Sequence, residues 1–174
     1  EDIPIIAPLV KRFKIASFEA GDEQFLNAHL LYEKPIIVST GGMDKDDLRR
    51  LKKWWSRRIE ESEEGISLLH CVAGYPTPIE ELNLHVMDEL DGLSGHTANV
   101  LTGAIAAAHG AQIIEVHFRL DSTDSANPDY GHSLSPDQLR QYVQNVRFAE
   151  LAMGSGIKKM QPSEERWAKY RVRA

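Results

Sequence analysis

Short apolar runs alternate with helix-like segments along the whole chain. The pattern predicts strands over 13–17, 35–40, 66–72, 92–94 and 111–118. The second and third runs are almost continuously apolar, which is typical of parallel strands that are buried on both faces. No low-complexity tract or internal linker divides the sequence. The pattern therefore predicts one domain in which strands and helices alternate.

The segments between these strands carry helical signals. Segment 44–63 is predicted to form a helix, because four large apolar residues recur at three- and four-residue spacing: Leu48, Leu51, Trp55 and Ile59. Thr77-Pro78-Ile79-Glu80 has a capping residue, an early proline and a capping-box glutamate, and predicts a helix that ends at Leu90. Ser135-Pro136-Asp137-Gln138 repeats that arrangement before a helix with an apolar stripe of Leu139, Tyr142, Val143 and Val146. The small residues of 104–108 suit a helix packed closely on a sheet.

Regular alternation of strand and helix with short loops predicts parallel strands and right-handed crossovers. Five such units belong either to an open doubly wound sheet or to a (β/α)8 TIM barrel. No strand is followed by G-x-G-x-x-G, and no Walker A sequence is present. Polar residues follow every strand instead, as at the active-site rim of a TIM barrel. Because a complete barrel needs about 250 residues and the chain has 174, we expect a partial barrel of about five βα units.

His96 and His117 lie at the carboxyl ends of two neighbouring predicted strands. In a parallel sheet or barrel both imidazoles emerge on one face, where they suit a shared divalent metal with open positions for substrate. The alternative is that each is a hydrogen-bonded histidine at a strand end. His70 and Cys71 are not expected to form a metal pair, because adjacent strand residues point to opposite faces. The other histidines are expected at the surface or in loops: His29, His85, His109 and His132.

Charge and cysteine content restrict the class of protein. The formal net charge is −6, and no Lys/Arg stretch is interleaved with aromatics, which argues against nucleic acid as the main partner. Cys71 is the single cysteine, which excludes an internal disulfide and fits a reducing cytosol. The sequence has no apolar window long enough for a membrane helix and no signal-like start. We therefore expect a cytoplasmic protein without membrane association.

Six ordered motifs resemble successive signatures of the N-acetylneuraminate (sialic acid) synthase family. They are KIASFE at 14–19, IVSTGGM at 37–43, LHCVAGYPTP at 69–78, LSGHT at 93–97, IEVHFRLD at 114–121 and PDY at 128–130. The match runs in register through almost all of the chain. The resemblance implies that residues 1–160 are strands four to eight of a TIM-barrel synthase domain. It also implies that 161–174 is the barrel exit toward a C-terminal antifreeze-like domain. That domain and the first three βα units are expected to lie outside this chain.

The resemblance implies a metal-dependent condensation of phosphoenolpyruvate with an N-acylhexosamine such as N-acetylmannosamine, with release of phosphate. It makes His96 and His117 the ligands of a divalent metal, Mn²⁺ or Mg²⁺. Lys14, Ser17 and Ser39 match contacts to the phosphate of phosphoenolpyruvate, for which an ammonium and hydroxyls are suitable donors. Ser94 matches a contact to its carboxylate.

Four further residues match positions around the amino sugar: Glu19, Tyr75, Glu115 and Asp129. Glu19 or Glu115 is the implied catalytic proton-transfer group. Each candidate also has an ordinary structural interpretation. Lys14 suits a solvated strand end, and the serines suit helix caps. The two glutamates suit salt bridges, and Tyr75 suits packing in a turn.

Four positions depart from the family pattern. Gly74, Gly95, Val116 and Tyr130 stand where the family commonly has Asn, Asp, Lys and His. These departures affect the expected sugar specificity more than the expected metal site, and point to a related nonulosonate synthase with another hexosamine.

A function of a different class stays open at this point. It is a non-catalytic half-barrel that self-associates and binds at most a metal or an anion. An open five-stranded sheet exposes apolar edges and one face, so a homo-oligomer is expected in either case.

Overall fold

The computed structural model describes residues 2–58 and 65–172. It contains one five-stranded parallel sheet with the strand order β1-β2-β3-β4-β5. The strands are Phe13–Ile15 (β1), Ile36–Ser39 (β2), Ile66–Cys71 (β3), Gly92–Gly95 (β4) and Ile113–Val116 (β5). All five predicted strands are present. Their order matches the chain order and does not reverse, which distinguishes a barrel segment from a doubly wound sheet. The expected partial TIM barrel is therefore confirmed.

In the part of the chain that the structure describes, five α-helices accompany the sheet. They are Ile3–Ile6 (α1), Glu23–Leu30 (α2), Lys45–Ser56 (α3), Thr102–Ala108 (α4) and Pro136–Met153 (α5). Short 3-10 helices occupy Ala7–Leu9, Ile79–Glu81, Leu84–Glu89, Tyr130–His132 and Pro162–Tyr170. Within residues 2–58 and 65–172, no helix combines the length and apolarity required to cross a membrane.

Helix α3 begins where the sequence predicts. The Asp44 side chain accepts hydrogen bonds from the amides of Asp46 and Asp47, and forms a capping box with Asp47. Leu51 and Trp55 are buried on the predicted stripe, and Leu48 packs against the same core. The predicted stripe position Ile59 lies outside the described residues.

The predicted helix from Thr77 to Leu90 is wrong. This stretch forms two separate 3-10 helices, and Asn83 between them has a left-handed backbone with φ of 43°. Thr77 does not act as a cap, because its Oγ1 donates to the carbonyl oxygens of Val72 at 3.2 Å and Gly74 at 2.8 Å. The Thr77 hydroxyl stabilises the turn after β3 and is therefore not available to cap a helix in the next segment.

Helix α5 begins with the predicted capping box of Ser135 and Gln138. Only Tyr142 of the predicted stripe is buried, and Val143 is exposed. Tyr142 packs on α4 at Gly103, where an added Cβ would lie 2.3 Å from the Tyr142 ring. The close approach of α4 and α5 therefore depends on this glycine.

The main core lies between strands β1–β3 and helices α2 and α3, and includes Ile15, Ile36, Val38, Leu51 and Trp54. His29 of α2 belongs to this region. The expectation of a surface position is wrong for it, because its ring packs edge-on against Phe13 at 4.8 Å and Phe25 at 4.6 Å. His29 Nδ1 also lies 2.8 Å from the Phe25 carbonyl oxygen, which satisfies the buried imidazole.

Candidate active site at the carboxyl edge of the sheet

A cavity of about 390 Å³ lies at the carboxyl ends of the strands. Eight of the ten site residues expected from the sequence line it: Lys14, Ser17, Ser39, Tyr75, Ser94, His96, Glu115 and His117. The parallel topology explains why they meet, because the carboxyl ends of parallel strands lie at one edge of the sheet. The two remaining candidates, Glu19 and Asp129, do not line this cavity.

Lys14 of β1 and Glu115 of β5 form the polar centre of the cavity. The Lys14 ammonium donates to Ser39 Oγ at 2.8 Å and to the Ile15 carbonyl oxygen at 3.0 Å, and lies 3.4 Å from Glu115 Oε2. Ser94 and Glu115 are register partners in β4 and β5, so their side chains leave the sheet on one face. Ser94 Oγ accordingly donates to Glu115 Oε2 at 2.6 Å. An ammonium, two hydroxyls and a carboxylate thus share one network.

Ser17 joins the turn after β1 to the turn after β2. Its Oγ accepts a hydrogen bond from the Gly41 amide at 2.9 Å and donates to Cys71 Sγ at 3.4 Å. The alternative interpretation of Ser17 and Ser39 as helix caps is not observed. Asp22 caps α2, and Asp44 caps α3. Both serine hydroxyls face the cavity instead.

His96 is buried, and its tautomer follows from its contacts. His96 Nδ1 lies 3.1 Å from the Val72 carbonyl oxygen. A carbonyl oxygen only accepts, so Nδ1 carries the proton and Nε2 keeps its lone pair for a ligand. The His96 ring centroid lies 5.2 Å from that of His117, so the two rings share the rim as expected.

Tyr75 covers the histidines from the solvent side. Its ring centroid is 4.2 Å from that of His96 and 5.2 Å from that of His132. Partial burial raises the pKa of Tyr75, and the neighbouring Cys71, Asp129 and Glu115 act in the same direction. The phenol therefore stays protonated at neutral pH and can donate a hydrogen bond.

A second polar cluster adjoins the cavity and contains His117, Asp129 and His132. His117 Nδ1 lies 3.7 Å from Asp129 Oδ2, and His132 Nε2 lies 3.4 Å from Asp129 Oδ1. One potential ligand atom from each residue falls within 4.8 Å of the others. The ring centroids of the two histidines are 4.5 Å apart. Asp129 is thus beside the metal candidate His117 although it lies outside the cavity lining.

His132 lies in the connection between β5 and α5, but the expectation of an exposed position is wrong for it. Its side chain is 1% exposed. Nδ1 has no hydrogen-bond partner among the described residues, and Nε2 has only the Asp129 carboxylate nearby, at 3.4 Å. Burial lowers the pKa of His132, and the neighbouring His117 acts in the same direction. The one sequence signal for this position is the spacing Asp129-x-x-His132, because residues three apart superimpose on a 3-10 turn.

The donor set of this region fits a divalent metal ion. It offers neutral imidazole nitrogens and a carboxylate oxygen, which are suitable ligands for first-row transition metals. The observation that favours this fit is the buried His132 ring, whose Nε2 converges with ligand atoms of His117 and Asp129 within 4.8 Å and makes no well-formed hydrogen bond among residues 2–58 and 65–172. A buried polar atom without a partner costs free energy unless something satisfies it.

Glu19 occupies a different position. It is exposed on the turn after β1, and its side chain makes no hydrogen bond or ion pair within the described residues.

Comparison with known proteins assigns the sequence to a family. The profile of the NeuB family matches residues 2–158. Pseudaminic acid synthase of Campylobacter jejuni is 38% identical over 151 residues, which cover 83% of this chain and 43% of that protein. N,N'-diacetyllegionaminic acid synthase of Campylobacter jejuni is 37% identical over 168 residues, which cover 90% of this chain and 48% of that protein. The chain spans about half the length of the curated relatives it matches.

A solved structure agrees with these matches. The N-acetylneuraminic acid (sialic acid) synthetase of Leptospira borgpetersenii superposes with a TM-score of 0.82 at 26% identity, and the match covers 93% of this chain and 57% of that one. The resemblance found in the six sequence motifs is therefore confirmed, and the chain belongs to the NeuB family.

Proposed function

We propose that this chain carries the rim of a nonulosonate synthase, which condenses phosphoenolpyruvate with an N-acylhexosamine and releases phosphate. The observation that carries the proposal is the single cavity in which the Lys14 ammonium, the serine hydroxyls and two strand-end histidines meet. The relatives that are named for pseudaminic acid and diacetyllegionaminic acid support a nine-carbon acidic sugar as the product class.

Lys14, Ser17 and Ser39 bind the phosphate group in this proposal, and Ser94 binds the carboxylate. Lys14 is the one lysine or arginine that lines the cavity among the described residues, so it supplies the positive charge. Hydrogen bonds from charged donors to phosphate are roughly twice as strong as neutral ones. Its contact with Ser39 at 2.8 Å directs the ammonium into the cavity.

His96 and His117 hold Mn²⁺ or Mg²⁺ in the proposed enzyme. His96 is prepared for this role because its proton lies on Nδ1, next to the Val72 carbonyl oxygen. A divalent ion held by these residues would supply Lewis-acid stabilisation to the aldehyde oxygen of the open-chain sugar, where negative charge develops.

Glu115 transfers the proton that the reaction requires. C3 of phosphoenolpyruvate forms a bond to the aldehyde carbon, and the aldehyde oxygen takes up a proton. Water adds to C2 and loses one proton, the C2–O bond to phosphate then breaks, and the second proton of the added water leaves with the phosphate as C2 becomes a ketone. Glu115 is preferred over Glu19 because Glu115 lies in the cavity, 2.6 Å from Ser94 and 3.4 Å from Lys14.

Tyr75 and Asp129 border the amino sugar. Tyr75 is 49% exposed above His96, so its phenol remains accessible to a hydroxyl of a substrate. Asp129 is exposed beside His117, at the point where the sugar would meet the metal. The family resemblance implies that 161–174 is the linker toward a further domain of the proposed enzyme.

The test is phosphate release coupled to detection of the acidic sugar, in the complete enzyme with phosphoenolpyruvate and a panel of N-acylhexosamines. Glu115→Gln should lower kcat by about 10²–10⁴-fold, the usual contribution of a general acid–base group. Glu19→Gln is the matched control, and should change kcat by less than about threefold because Glu19 does not line the cavity.

The alternative function makes the opposite prediction. A non-catalytic half-barrel binds a metal or phosphoenolpyruvate and yields no product with any sugar of the panel. That result in a folded, metal-loaded protein would exclude the proposed synthase.

A further inference from the structure

We propose that His132 is a metal ligand, and that with His117 and Asp129 it makes this centre selective for a transition-metal ion over Mg²⁺. The proposal deepens the proposed function and rests on it for the place of the metal. It adds an imidazole that the sequence motifs do not identify, and it assigns one Asp129 oxygen to the metal rather than to the sugar alone.

The environment of His132 requires a partner for its ring. The side chain is 1% exposed, its Nδ1 lacks a hydrogen-bond partner among the described residues, and its Nε2 has only the Asp129 carboxylate nearby, at 3.4 Å. The other buried histidines differ in this respect. His29 meets the Phe25 carbonyl oxygen at 2.8 Å, and His96 meets the Val72 carbonyl oxygen at 3.1 Å. An ion between His132 and His117 would satisfy the buried imidazole.

The three side chains already converge. The two Asp129 oxygens lie 3.7 Å from His117 Nδ1 and 3.4 Å from His132 Nε2. Two imidazoles and one carboxylate are the donor set of the facial triad that binds transition metals and leaves positions open. Those open positions suit a substrate oxygen or His96, whose ring centroid is 5.2 Å from that of His117.

Backbone contacts fix this geometry on both sides of His117. The Leu134 amide donates to the His117 carbonyl oxygen at 2.9 Å, and the Arg119 amide donates to the Leu134 carbonyl oxygen at 3.0 Å. Within the turn, Ser133 Oγ donates to the Asp129 carbonyl oxygen at 2.6 Å. These hydrogen bonds hold the turn with Asp129 and His132 against the end of β5, next to His117.

The donor set decides the metal. Mg²⁺ prefers oxygen ligands and retains several waters, whereas imidazole ligands suit the later first-row ions. A site with one carboxylate and two or three imidazoles therefore favours Co²⁺ or Zn²⁺ over Mg²⁺.

The experiment measures binding of Co²⁺ and Mg²⁺ to the metal-free complete protein, by calorimetry and by the visible absorption of Co²⁺. Turnover is not part of the readout, so failure of the synthase reaction and failure of this inference remain distinguishable. His132→Ala should weaken Co²⁺ binding by at least tenfold and change the Co²⁺ spectrum, because one nitrogen ligand is lost. The matched control is His85→Ala, an exposed histidine of the 3-10 helix Leu84–Glu89, which should change neither.

Asp129→Asn is the second variant, and it keeps the test decisive if His132→Ala fails to fold. Asp129 has a side chain that is 61% exposed, and the turn is held through its backbone carbonyl, so the fold should tolerate the change. Unchanged Co²⁺ affinity and spectrum in either folded variant would overturn the ligand assignment. Displacement of Co²⁺ by an equal concentration of Mg²⁺ would overturn the selectivity.

Discussion

Replacement of Lys14 tests where the positive charge of the site acts. Lys14→Met keeps most of the aliphatic stem and removes the ammonium, which contacts Ser39, Ile15 and Glu115 at 2.8, 3.0 and 3.4 Å. The side chains of the Lys14–Glu115 pair are 32% and 42% exposed, so the pair contributes only about 0–1 kcal/mol to the free energy of unfolding. The variant should therefore stay folded.

The effect on binding should be much larger. A hydrogen bond between charged groups contributes about 1.5–3 kcal/mol, and 1.4 kcal/mol corresponds to about tenfold in affinity. Lys14→Met should thus weaken the binding of phosphoenolpyruvate by about 10–150-fold. The apparent affinity for the sugar should change by less than about threefold, because the sugar lies beside Tyr75 and Asp129 in the proposed arrangement.

The assay is steady-state phosphate release by the complete enzyme, with each substrate varied while the other is saturating. Lys53→Met, at an exposed position of α3, is the matched control and should leave both constants unchanged. A Lys14→Met enzyme whose apparent affinity for the sugar falls more than that for phosphoenolpyruvate would refute the assignment of Lys14 to the phosphate.

Three further predictions concern the metal, the helix packing and the barrel. His96→Ala and His117→Ala should each weaken Mn²⁺ binding by at least tenfold in calorimetry, because each variant removes one nitrogen ligand; unchanged binding in both variants would exclude the pair. Gly103→Ala should lower the free energy of unfolding by about 1–3 kcal/mol in urea titrations, because the new Cβ overlaps the buried Tyr142 ring. Gly21→Ala, where nothing lies within 4 Å, should stay within about 0.5 kcal/mol, and equal effects would contradict the packing argument. The 174-residue chain alone should release no phosphate with N-acetylmannosamine, whereas the same residues joined to three N-terminal βα units should do so, since closure needs all strands; turnover by the chain alone would contradict this.

The strands and the rim were predictable from the sequence because both depend on local and repetitive features. Apolar runs bounded by turns mark parallel strands, and parallel strands bring their carboxyl ends to one edge. Lys14, Ser39, Ser94 and Glu115 follow from that rule alone, since each lies in a strand or at its end.

The errors have two physical causes, which are a local hydrogen bond that competes with helix capping and a contact between segments distant in the chain. Thr77 has the sequence of a helix cap, but its hydroxyl binds the turn before it. His132 is flanked by Gly131 and Ser133, which resembles an exposed loop. His132 is buried because the Leu134 amide donates to the His117 carbonyl oxygen, which places the turn of His132 against the end of β5. Local hydrophobicity contains no information on that hydrogen bond.

The Lys14–Glu115 contact also shows that the polar site depends on the curvature of the sheet. β1 and β5 are the two edges of the sheet, and four strand spacings would separate them by roughly 19 Å in a flat sheet. Lys14 Nζ and Glu115 Oε2 nevertheless lie 3.4 Å apart, and Ser39 and Ser94 from the strands between join the same network. Two side chains cannot bridge a flat sheet of that width, so the sheet must bend around the cavity as a barrel wall does. Curvature thus places the ammonium of the first strand beside the carboxylate of the fifth. A change that flattens the sheet would dismantle the binding site even if every strand stayed paired.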